Sequence, residues 1–143
     1  MKRVRRILVG LKTPQQALEL VDIACRQAAK NASLLLVHVI ELPDVTPLTA
    51  EVPELEAVAR KTLQAGARIA RRSGVRVRTL DVRAHSAGEA LLELLKEERI
   101  ELAVLGYHHK KTLGEILIGT TSQRIARHAP CEILLHIPPV KSD

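Results

Sequence analysis

The segment 106–121, GYHHKKTLGEILIGTT, holds the residues with the clearest chemistry. It follows the apolar run ELAVLG and precedes SQRIARHA, which has a helical pattern. Gly106 and Gly119 stand near its ends, and Thr120-Thr121 open the helix. Such a strand-to-helix loop can hold a phosphate, because the first N–H groups of a helix are free and its dipole favours an anion. Yet His108, His109, Lys110 and Lys111 fill the middle, where a phosphate loop carries small residues. Two adjacent histidines seldom ligate one ion, and His85 is only a remote third ligand, so no metal centre is expected. Tyr107 reads as an exposed loop residue that could also stack on a base. No nucleophile–base pair and no carboxylate pair has a spacing that implies catalysis, and the chain is not expected to be an enzyme.

Five apolar runs must position this loop. The strands are expected at 4–11, 33–40, 75–82, 101–106 and 131–137. Between them, Thr13-Pro14-Gln15-Gln16 starts a helix with Thr as N-cap, Pro at the first helical position and Gln at the third, running to about Asn31. A loop rich in proline (Pro43, Pro47, Pro53) precedes a helix from about Glu54 to Arg72, closed by Ser73-Gly74. Ser86 and Glu89 cap a third helix to about Glu98, and a fourth runs from Thr120 to His128, stopped by Pro130. Strands alternating with helices argue for a parallel sheet covered on both faces. His38 and His136 fall in strands and read as structural, while His128 sits where a helix C-terminus favours a cation.

Two strands carry edge signals. VRVRTLDV puts Arg76 and Arg78 on one face, which suits an exposed edge. CEILLHI is apolar on both faces, yet as the last strand it would commonly lie at the other edge. A bare apolar edge invites a second copy, so Glu132, Ile133, Leu134, Leu135, His136 and Ile137 are the expected interface of a homodimer.

The totals narrow the class. With 143 residues, 46% of them hydrophobic, the chain can bury one substantial core. One Tyr, no Phe and no Trp leave that core aliphatic and argue against a surface that stacks nucleic-acid bases. The formal charge of +6 would suit a polyanion, but the basic residues are scattered among acidic ones and read as a solubilising charge. Cys25 and Cys131 form no CxxC pair and read as small core residues. No apolar run reaches the ~20 residues of a membrane span. MKRVRRILVG has too short an apolar core for a signal peptide, so a cytoplasmic protein is expected.

Along nearly its whole length the chain resembles the universal stress protein family. The resemblance rests on RILVGLKTPQQALELVDIA, on LGYHHKKTLGEILIGTTSQRIARHAPCEILL and on the element order. It implies a doubly wound five-stranded parallel sheet of order 3-2-1-4-5, pairing of two copies through the last strand, and a ligand crevice between loops 11–14 and 106–121. ATP-binding members carry Gly, two residues, Gly, nine residues, then Gly with Ser or Thr. Gly106, Gly119 and Thr120 fit this pattern, but His109 replaces the second glycine. Those members also carry an Asp after the first strand, where this chain has Lys12. Val39 matches an apolar contact to the base. Lys12 cannot accept a hydrogen bond from a ribose hydroxyl, and His109 fills space that the phosphates would use. The expectation is a stress-response regulator without tight ATP binding and with a residual anion site at Gly119, Thr120 and Thr121. The alternatives are a nucleotide-binding switch with slow hydrolysis and a basic adaptor that binds nucleic acid.

Overall fold

The computed structural model describes residues 3–107 and 120–139. In chain order the elements are β1 (Val4–Gly10), α1 (Pro14–Gln27), β2 (Ala28–Glu41), α2 (Pro53–Arg72), β3 (Arg76–Ala84), α3 (Ala87–Glu97), β4 (Leu102–Gly106), α4 (Thr120–His128) and β5 (Glu132–His136). The strands form one sheet in the order β3-β2-β1-β4-β5, every pair parallel. This is the expected doubly wound architecture.

The two-residue period of the strands builds both halves of the core. Ile7, Val9, Leu34, Leu36, Leu102 and Val104 face one way, against Leu20, Val21 and Ala24 of α1 and Leu63, Ala67 and Ala70 of α2. Leu8, Leu35, Val37, Ala103 and Leu105 face the other way, against Leu91 and Leu95 of α3 and Ile125 of α4. The central strands are buried on both sides, which is why they read as unbroken apolar runs. Gly66 sits where α2 meets the sheet. A Cβ there would lie 2.8 Å from Leu36 Cδ1 and 3.2 Å from Leu11 Cδ1, so the missing side chain sets how closely α2 approaches the strands.

The helix ends follow known hydrogen-bond rules. Thr13 Oγ1 accepts from the Gln16 N–H at 3.1 Å, and Ser86 Oγ accepts from the Glu89 N–H at 3.2 Å. After α2, the Gly74 N–H donates to the Arg71 carbonyl and the Val75 N–H to the Ala70 carbonyl, with Gly74 at φ +73°. This paired pattern is a Schellman motif. At the far end of β3, Arg83 donates to the Leu48 and Ala50 carbonyls and to Glu56, which fastens the proline-rich loop to the sheet.

Three expectations need correction. Helix α1 ends at Gln27 rather than near Asn31, and β2 starts at Ala28 instead of Ser33. Ala28 pairs with Val4 and Ser33 with Arg6, so β2 spends five residues where β1 spends two. The excursion is a bulge, and Asn31 turns through it at φ 66°. Tyr107 is buried, only 5% exposed, and is not a surface residue. Neither Gln16 nor Glu89 closes a capping box with its own cap residue: the Gln16 side chain takes the Lys12 N–H, and the Glu89 carboxylate pairs with Arg124.

Candidate functional site

The strand order reverses between β1 and β4, which face each other through Ile7–Leu102, Leu8–Ala103 and Val9–Val104. Ligands of such sheets bind beyond the carboxyl ends of the strands at this reversal. There the structure has a cavity of about 60 Å³, whose lining includes Gly10, Lys12, Gln16, Val39, Gly106 and Thr121. Four of the residues singled out in the sequence, Lys12, Val39, Gly106 and Thr121, therefore meet at one place. Thr120 opens the described part of α4 and is exposed. Both threonines are helical. His109 and Gly119 lie outside the described residues.

Gln16 decides the shape of the crevice. It stands at the third position of α1 and is 8% exposed. Its Oε1 accepts the Lys12 N–H at 2.7 Å. Its other amide atom covers Gly106 so closely that a Cβ on that glycine would collide with Gln16 Nε2. The carboxamide thus occupies a backbone donor at the end of β1 and the open face of the glycine at the end of β4. The residual volume is far below the roughly 300–1,000 Å³ of small-molecule pockets. Sequence reading missed this role. The available signal was a glutamine one turn after the first strand, but that position also fits an ordinary capping box.

The electrostatics of the site are simple. Lys12 is exposed and is the sole charged side chain on the cavity lining among the described residues. His38 lies nearby and is 8% exposed. Its Nδ1 is 2.9 Å from the Leu11 carbonyl oxygen, so Nδ1–H donates and ties β2 to the end of β1. Burial pushes the His38 pKa below its usual value, against the weaker pull of the Leu11 carbonyl and Asp81. Among the described residues no three His, Cys, Asp or Glu side chains gather as a metal site. Cys25 and Cys131 are unpaired with each other and lie on opposite faces of the sheet. Burial pushes both thiols up, consistent with packing residues. No helix among the described residues is long and apolar enough to cross a membrane.

The comparisons with known proteins agree with this architecture. The chain is similar to a universal stress protein family member from Burkholderia pseudomallei, with 28% identity, TM-score 0.67, and coverage of 92% of this chain and 94% of that one. It is also similar to the Archaeoglobus fulgidus universal stress protein in complex with dAMP: 15% identity, TM-score 0.70, coverage 93% and 98%. A family protein of Arabidopsis thaliana with AMP bound matches at 15% identity and TM-score 0.65, with coverage of 95% and 93%. No curated protein is similar enough to the chain to count as a match. The model of the Universal stress protein family matches residues 3–136, which is nearly the whole fold from β1 to β5, and the chain belongs to that family.

Proposed function

We propose that this chain is a dimeric, cytoplasmic regulator in the stress response that does not bind ATP tightly and keeps a small-anion site at the β1/β4 reversal. The observation that carries the reading is the crevice itself. Gln16 lies over Gly106 and takes the Lys12 N–H, in a cavity of about 60 Å³. Lys12 adds a cation where the family resemblance implies a carboxylate acceptor. A ribose hydroxyl would lose a charge-assisted hydrogen bond there, worth about 1.5–3 kcal/mol. The same lysine and the first described turn of α4, with Thr121 and Ser122 on the lining, suit a small anion.

Titration calorimetry with ATP tests this. The unaltered protein should give little or no heat. The double variant Lys12→Asp with Gln16→Ala restores an acceptor and uncovers Gly106, and should bind ATP at least about tenfold more tightly. Tight binding by the unaltered protein would favour the second reading, a nucleotide switch. That reading has its own support in the AMP- and dAMP-bound relatives. It would require the Gln16 carboxamide to swing away as the nucleotide enters.

A further inference from the structure

The sequence scatters basic residues among acidic ones, but the fold gathers four of them in one groove. Arg60, Arg68, Arg71 and Arg72 of α2 line an open groove of about 730 Å³ beside Thr79 and Asp81 of the edge strand β3. All four are exposed, and none is in an ion pair among the described residues. Elsewhere Arg26, Arg78, Arg83 and Arg124 each hold a carboxylate. Asp81 is the one carboxylate on the groove lining, so three of its four positive charges are uncompensated.

Helix stability accounts for only part of this arrangement. Arg71 and Arg72 lie in the last turn of α2, where the dipole favours cations. Arg60 and Arg68 stand well inside the helix, where that benefit has faded. Arg68 also faces Arg71 and Arg72 at i+3 and i+4, and like charges at these spacings destabilise a helix. A polyanion in the groove would offset this repulsion by attracting each guanidinium.

We infer that the α2–β3 groove binds the phosphate backbone of double-stranded nucleic acid without reading its sequence. From Arg60 to Arg72 the stripe is about 18 Å long at 1.5 Å per residue. That length matches about five base-pair steps of 3.4 Å along the duplex axis. The sequence has one Tyr and no Phe or Trp, and Tyr107 is buried, so none of these rings offers bases a platform to stack on. A lipid surface fits less well. An interfacial helix must insert its apolar face, and α2 has turned Ala59, Leu63, Ala67 and Ala70 into the core.

The test is fluorescence anisotropy with a labelled 20-base-pair duplex of arbitrary sequence, repeated from 25 to 200 mM salt. Four neutralised phosphates give a slope of log K against log salt of about −3 to −4. Arg68→Gln with Arg71→Gln should reduce the steepness by about two and leave the thermal melt unchanged or higher, because the like-charge pair is gone. Arg26→Gln with Arg124→Gln removes the same charge from paired positions and should change the slope less. Equal losses in both double variants would overturn the groove assignment in favour of net charge. Absence of duplex binding at 25 mM salt would overturn it outright, as would retention on phosphatidylserine vesicles but not on the duplex. A strong preference for one duplex sequence over another would overturn the backbone-only mode.

Discussion

His38 shows how a single buried group makes this fold sensitive to acid. The imidazole donates Nδ1–H to the Leu11 carbonyl, and burial lowers its pKa in the folded chain, which favours the neutral ring. Below about pH 6.5 the unfolded chain takes up a proton that the folded chain resists. Stability is therefore full above that pH and falls as pH drops through it. Urea melts between pH 7.5 and 5.5 should show the decline, and His38→Gln should flatten it. An undiminished pH slope in that variant would assign the effect to another histidine. Residue identity alone did not expose this behaviour, since His38 lies in an apolar strand and reads as structural without indicating its partner. Gln16 is a similar case. Its type and spacing predicted a capping role, but the carboxamide bonds Lys12, and only the fold places Gly106 beneath it.

At the scale of elements, the apolar patterns were legible because burial on both faces demands continuous aliphatic runs. Each of the five expected strands has its counterpart within a few residues, except at the start of β2. There the segment AAKNA favours a helix by composition. Pairing of Ala28 with Val4 overrides that preference, and no local signal reports a contact with a strand so far back. Helix α2 illustrates the reverse. Gly66 weakens the helix by about 1 kcal/mol relative to alanine in propensity, yet its position against Leu36 and Leu11 leaves no room for a side chain. Gly66→Val should push α2 off the sheet and destabilise the protein by about 1–3 kcal/mol, measurable as a lower denaturation midpoint. A neutral or stabilising result would mean that α2 shifts freely.

At the scale of the molecule, the two edges of the sheet differ. β3 is flanked by arginines, and Arg78 is held by Glu98 at 2.7 Å. Among the described residues β5 pairs only with β4, and Ile133, Leu134 and Leu135 are half-buried, with Ile137 40% exposed. An apolar edge of this kind is suited to a second copy. If two chains join there, each interface change acts twice. Leu134→Lys should raise the dimer dissociation constant at least about tenfold, as read by light scattering at micromolar concentration. A monomeric unaltered protein under the same conditions would refute the pairing.

The position of β1 in the middle of the sheet has a consequence for synthesis. The Arg5 and Arg6 amides donate to Glu101 Oε1, and the Glu101 amide donates to the Arg6 carbonyl, contacts that join residues 95 and 96 positions apart. On a ribosome adding about 5–20 residues per second, β1 waits roughly 5–20 s for β4 to emerge. During that interval β1, α1, β2, α2 and β3 can assemble as one half, with the inner edge of β1 still bare. That edge is strongly apolar, through Ile7, Leu8 and Val9. The nascent chain is thus most vulnerable to mispairing, and most in need of a chaperone, after its third strand has formed and before its fourth has left the exit tunnel.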